Sequence, residues 1–276
     1  MKRAIPILCA AAAVALIAPQ AAAAATQTAT AGDVTATFTY HGTYPNFHGE
    51  SFTISRAGQV VYSQPVRSPN CPSKNYECGP GGNGADSVHV VDLESTSEPN
   101  VVLDLYTGGA HCCWAEQVFS FDAASNTYTK AEREFFDGDQ LVDMGHNGLQ
   151  QFLTVDSRFD YAFTDYADSG RPTQVFGFAK GKFTDITRQF PKLIGRDATT
   201  WMKAFNWDGR HDHFHNSVGF VAAWAADEDL LGHYKLVARF LSRQAKLRHL
   251  NSPLEPGGQK FVRALQKMLR KDGYAR

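Results

Sequence analysis

Four short apolar segments occur twice, in the same order, between residues 88 and 187, and this repeat constrains the fold more than any other feature of the chain. Val90-Val91-Asp92-Leu93 is matched 51 residues later by Leu141-Val142-Asp143-Met144, and Val101-Val102-Leu103-Asp104-Leu105 by Phe152-Leu153-Thr154-Val155. Val118-Phe119-Ser120-Phe121 then finds Val175-Phe176-Gly177-Phe178 at an offset of 57, and Tyr128-Thr129-Lys130 finds Phe183-Thr184-Asp185 at 55. Drifting offsets are what loops of unequal length produce around one strand scaffold. A period near 50 with about four short strands is the size of a propeller blade.

The flanks of the repeat read differently from each other. Upstream, Val34, Ala36, Phe38 and Tyr40 alternate with polar residues, as do Phe52 and Ile54, and Gly42, Pro45-Asn46, Gly49 and Gly58 punctuate them. Alternation of period two between turn residues predicts hairpins. Downstream, Leu231, Tyr234, Val237 and Leu241, then Phe261, Leu265 and Met268, recur at helical spacing. Asp227 and Asp229 read as the start of the first of these helices, and Gly257-Gly258 as the break before the last. The expected class is α+β: mainly antiparallel β, as propeller-like or divergent repeat sheets, with a small C-terminal helical region. The expected organisation is a leader over 1–25, a β-rich domain over 33–210 with units at about 88–135 and 140–191, and a basic helical region over 216–276.

Asp92-Leu93-Glu94, a polar turn, Glu98-Pro99 and then the Val101–Leu105 segment resemble the FG-GAP/VCBS repeat, an acidic loop followed by a strand. Tyr106-Thr107-Gly108-Gly109-Ala110-His111-Cys112-Cys113 is similar to a block in exported actinobacterial proteins with such repeats, and so is the stretch from Phe183 to Pro191. The resemblance covers roughly residues 88–191 and implies a propeller-like module and calcium, for relatives whose function is largely unassigned. The chain departs from the pattern at Ser95, Thr96 and Ser97, where the repeat prefers Asp and Gly.

Lys2 and Arg3, the apolar run Ala4–Ala18 and the small residues Ala21–Ala25 read as a secretory signal peptide cleaved at about residue 22–28. The run is short of the roughly 20 residues that span a bilayer, so secretion without a transmembrane segment is the expectation. With Cys9 in that leader, Cys71, Cys78, Cys112 and Cys113 remain, an even number that an oxidising compartment turns into two disulfides. A vicinal bond closes a strained ring, so pairings crossing between the two segments are favoured, with either register open.

Chemistry is sparsely signalled. Gly-x-Ser-x-Gly, His-Glu-x-x-His and the phosphate-binding Gly-x-x-x-x-Gly-Lys are absent from the sequence. Asp92, Glu94, Thr96 and Glu98 place oxygen donors at alternate positions, a calcium-type arrangement; no other cofactor is expected. His211, His213 and His215 share one face if their segment is extended, a ligand set for a transition metal. Asp137-Gly138-Asp139 is a weaker donor pair. Overall charge is −1, but residues 235–276 hold eleven Lys or Arg against Glu255 and Asp272, a net of +9, while residues 4–234 carry −12. The basic helices are expected to dock on the acidic β region, or to meet an anionic envelope component; no nucleic-acid module is present. The functional expectation is a secreted, disulfide-stabilised binding or structural module, with a metal-dependent hydrolase using the His tract as the alternative.

Overall fold

The computed structural model describes residues 24–71, 78–81, 86–96, 98–109, 113–252 and 257–275. The expected leader lies outside these residues but for Ala24 and Ala25. Three antiparallel sheets come first and four helices follow. The first sheet is the meander β1 (Ala25–Ala31), β2 (Val34–His41), β3 (His48–Arg56) and β4 (Gln59–Pro65). The second is β6 (Val88–Val91), β7 (Asn100–Tyr106), β8 (Trp114–Asp122) and β9 (Thr127–Phe135), with the two-residue β5 (Gly79–Pro80) sharing the β7 edge. The third is β10 (Gln140–Val142), β11 (Gln151–Val155), β12 (Thr173–Ala179) and β13 (Lys182–Asp185).

The four matched segments of the repeat fall on, or at the end of, strands in equivalent order: β6 with β10, β7 with β11, β8 with β12 and β9 with β13. The first sheet is a third meander of the same order, although its sequence shows no repeat. Its hairpins are local products: the β3–β4 turn holds Ala57 and Gly58 at φ 47 and 79. Two residues at positive φ make the turn whose twist suits a tight hairpin.

The second sheet is the middle layer. Leu103, Leu105, Ala115 and Phe119 on one face pack with Val34, Ala36, Phe38, Phe52 and Ile54 of the first sheet. Val102, Val118 and Phe135 on the other pack with Phe152, Phe176 and Phe178 of the third. A strand buried on both faces reads as a continuous apolar run rather than an alternation, and Val101-Val102-Leu103 of β7 is such a run.

Helix α1 (Pro191–His211) is followed by α2 (Ser217–Leu230), α3 (Tyr234–Lys246) and α4 (Gly258–Lys271). The helical region therefore begins at Pro191, not at 216, and the β region ends at Asp185. Ile194, Ala198 and Phe205 are the buried stripe of α1, and Pro191 suits its first turn, where no N–H is needed. Asp227 and Asp229 close α2 instead of opening α3, because Gly232 at φ 85 breaks the chain between them. Helix α2 is buried nearly all round, enclosed by α1, α3, α4 and the segment carrying Phe159 and Phe163.

The apolar stripes of α3 and α4 face this helical core. The expected docking on the β region through opposite charge is corrected by the ion pairs: no described Lys or Arg of α3 or α4 forms one. The joint is instead made by ring contacts of Phe159 with Tyr274 and of Phe163 with Phe261, by the Arg158–Asp272 ion pair and by hydrogen bonds. Arg188, just after β13, donates through Nη1 to the Leu230 carbonyl at 2.9 Å and through Nη2 to the Gly273 carbonyl at 2.7 Å. The buried Tyr274 donates its hydroxyl to Asp156 Oδ2 at 2.6 Å.

Candidate functional site: an acidic cleft between the second and third sheets

Val102 and Val118 are cross-strand partners on the face of the second sheet that meets the third; two residues along the same face the partners are Asp104 and Glu116. Apolar packing stops there and a cleft of about 820 Å³ opens. Its polar wall includes Asp86, His89, Asp104, Glu116, Asp137 and Asp139, its apolar wall includes Val91, Trp114, Leu141 and Leu153, and among the described residues no Lys or Arg lines it.

The turn Asp137-Gly138-Asp139 is held in place from both sides. Gly138 has φ 77, and a Cβ there would stand 3.3 Å from the Trp114 indole on β8. Its carbonyl accepts the Thr154 hydroxyl of β11 at 2.6 Å. Glycine is required by conformation and by proximity together. Asp137 is neutralised locally: Tyr166 donates its hydroxyl to Asp137 Oδ1 at 2.6 Å, and Arg171 Nε lies 3.7 Å from Oδ2. Asp139 has no such cation.

Glu116 is 2% exposed. Among the described residues no N–H or O–H donates to its Oε2; the carboxyls of Asp104 and Asp139 lie within hydrogen-bonding reach. Those bonds form only when a proton is shared. Burial, with these two charges beside it, pushes the Glu116 carboxyl well above the usual carboxylate range. Burial also pushes Asp139 up to about 7, aided by Asp104 and opposed by the bond to Glu116 and by His89. His89 Nε2 lies 3.1 Å from Asp104 Oδ2, and that hydrogen bond raises the imidazole's pKa against its partial burial. The cleft thus holds protons at neutral pH that a bound cation can displace.

Of the donors singled out by sequence, Asp137 and Asp139 line the cleft, and the calcium-type set lies elsewhere. Asp92 offers its backbone carbonyl to Gln150 N at 2.7 Å. Glu94 Oε2 accepts the Lys180 N–H of the β12–β13 turn at 2.9 Å, and Thr96 Oγ1 donates to the Glu98 carbonyl at 3.0 Å. Glu98 Oε2 pairs with Arg56 Nη1 of the first sheet at 2.6 Å. The loop ties its neighbours together, with the Glu94 and Glu98 carboxylates engaged by separate partners, the Lys180 N–H and the Arg56 guanidinium.

The extended reading of the His tract is also corrected. His211 is the last residue of α1, stacked on Trp207 with Nδ1 2.8 Å from the Trp207 carbonyl. His213 and Phe214 turn the chain at φ 52 and 61, and His215 N–H donates to the Asp212 carbonyl at 3.0 Å. Among the described residues no group of three His, Cys, Asp or Glu is arranged to hold a metal ion. The crossed disulfides are corrected as well: Cys71 bonds Cys78, their Cα atoms 5.5 Å apart. A bond that closes a loop of six intervening residues needs no partner from the second segment. Cys113 is also disulfide-bonded; Cys112 and His111 lie outside the described residues.

Sequence reasoning missed Asp104 and Glu116. The available signal was an acid beside apolar neighbours within a strand, Asp104 between Leu103 and Leu105 and Glu116 next to Ala115.

The fold and cleft define a class: a disulfide-bonded α+β protein of layered antiparallel sheets with an acidic inter-sheet cleft. No family model matches the chain. It is 30% identical over 150 residues to a probable thylakoid lumen protein of Synechocystis, covering 52% of this chain and 44% of that one. It is 25% identical over 190 residues to an uncharacterized protein of Sinorhizobium fredii, covering 66% of this chain and 28% of the other. The chain spans less than half the length of these curated relatives. A solved Xanthomonas protein related to a type IV secretion system aligns with 58% of this chain and 92% of its own at 12% identity, with a TM-score of 0.25, a likeness that carries no argument. Among the described residues no helix is long and apolar enough to cross a membrane.

Proposed function

We propose that this is an exported binding module whose inter-sheet cleft takes a small ligand through a positively charged group. The observation that carries the reading is Glu116 Oε2, buried in the cleft wall beside the Asp104 and Asp139 carboxyls and without a donor among the described residues. A buried acceptor without a donor is costly to the fold alone, and a ligand ammonium or guanidinium supplies the missing donors. The absence of Lys and Arg from the lining among the described residues selects the ligand's sign, and Trp114 and the leucines accommodate its carbon skeleton. The leader-like N-terminus, the oxidised cysteines and the lumenal compartment named for the Synechocystis relative support export. The order of four strands per sheet is in keeping with the FG-GAP/VCBS resemblance, and we read the three sheets as divergent blades in an open row.

The test is a thermal-shift and calorimetric screen of the mature protein with spermidine and arginine against neutral N-acetylglucosamine. The cations raise the melting temperature and the sugar does not. Binding tightens as pH rises through about 7, where Asp139 releases its proton, and Asp104→Asn with Asp139→Asn abolishes it. If the cations give no shift, or the double variant binds them as the parent does, the reading fails.

A further inference from the structure

The last two helices each carry a row of cations at helical spacing. On α3 these are Lys235, Arg239, Arg243 and Lys246; on α4 the row is Lys260, Arg263, Lys267, Arg270 and Lys271. All are exposed, and among the described residues none is in an ion pair with an acid. Asp272, the acid at the end of α4, pairs with Arg158 from outside the helices at 3.3 Å. The opposite faces are fully used, since Val237 and Leu241 of α3 and Phe261, Leu265 and Leu269 of α4 lie in the helical core. Packing therefore accounts for one side of each helix and leaves the charge of the other side unexplained.

Helix α3 adds a second observation. Leu236 and Leu247 are 43% and 48% exposed, among the few large apolar side chains left in solvent. They are eleven residues apart, about three turns, so they fall within about 20° of each other around the axis, with Arg243 between them. A groove of about 520 Å³ runs along this face, lined by Ala238, Arg239, Ser242, Arg243, Lys246 and Leu247, without an acid.

We propose that this face of α3 docks on an anionic lipid surface. Exposed leucines bordering a row of Lys and Arg are the arrangement of a helix lying in a membrane interface, where apolar side chains enter the headgroup boundary and long cationic chains reach the phosphates. A soluble polyanion would recognise the cations and leave the leucines without a role. The helix is held in its fold by its buried side, so the docking face is preformed.

The experiment is co-sedimentation of the mature chain with vesicles of phosphatidylcholine, with and without phosphatidylglycerol. Binding is expected only to the vesicles containing phosphatidylglycerol and is lost at high salt, where surface charges are screened. Replacing Arg239, Arg243 and Lys246 by Ser weakens it by about fivefold for each cation removed, with the melting temperature unchanged because all three are exposed. Leu236→Ser with Leu247→Ser weakens it as well, and this is the arm that separates lipid from polymer. Absence of binding to phosphatidylglycerol vesicles overturns the proposal. Full binding by the double Leu variant, with displacement by polyphosphate, overturns it in favour of a soluble polyanion.

Discussion

The second sheet has two faces built from alternate residues of the same strands, and they meet different neighbours in different ways. Toward the first sheet, Leu103, Leu105, Ala115 and Phe119 form an apolar layer, and the buried Gln117 opposite Leu103 donates to the Arg67 carbonyl and to Glu132 Oε2, both at 2.8 Å. Toward the third, the layer starts with Val102 and Val118 and gives way to Asp104 and Glu116. Backbone geometry is common to both faces, so strand formation is indifferent to the change. What differs is that the third sheet diverges from the second at the Asp137-Gly138-Asp139 turn and leaves a cleft. Burying an acid there opposes stability, a cost that the proposed ligand would offset.

Breaking the closed face should have the largest effect. Phe119 is 1% exposed, with Phe52 and Tyr62 at ring-centroid distances of 4.9 and 5.2 Å. Phe119→Ala should lose about 3–5 kcal/mol in urea unfolding, as large-to-small changes in a dense core do. A loss below about 1 kcal/mol would mean that the first two sheets are not packed as described.

On the open face the sign should reverse. The folded protein holds the Glu116 proton more tightly than the unfolded chain, so this group's contribution to stability falls as pH rises above the ordinary carboxylate range. Glu116→Gln removes that dependence and leaves the side chain neutral throughout. The variant should match the parent near pH 4 and exceed it at about pH 8 by roughly 1–3 kcal/mol, the usual cost of an unsatisfied buried group. Melting curves of the two proteins that run parallel across this range would refute the assignment.

The smallest effect belongs to the cleft rim. His89 has its pKa raised by Asp104, so the pair stabilises below the ordinary histidine range and its contribution is lost as pH rises through the folded value. His89→Gln should therefore cost at most about 1 kcal/mol near pH 5.5, the half-exposed pair being screened by solvent, and nothing near pH 8.5. Equal losses at both pH values would assign His89 a packing role instead.

Much of the layered fold was legible because its signals are local. Alternation at Val34, Ala36 and Phe38 and a two-residue turn at Ala57-Gly58 describe a hairpin without reference to the rest of the chain. The helical stripe of Ile194, Ala198 and Phe205 was equally local, and was obscured by the repeat that ends just before it. The cleft was barely legible. Asp137-Gly138-Asp139 stood out as a donor pair, whereas Asp104 looked like one polar residue in an apolar strand.

By itself the sequence determined the strand order, the doubled four-strand unit, the last two helical stripes, and the opposed charges of the two parts of the chain. These follow from periodicity and composition within a few turns of chain. Only the tertiary structure decided that Asp104, Glu116 and Asp139 meet, that Cys71 closes on Cys78, that the His211–His215 tract curls at a helix end, and that the cations of α3 stay free. Each of these depends on the register between strands or on which face of an element a neighbour covers. Both are set by packing over long separations, where the same local pattern is compatible with many arrangements.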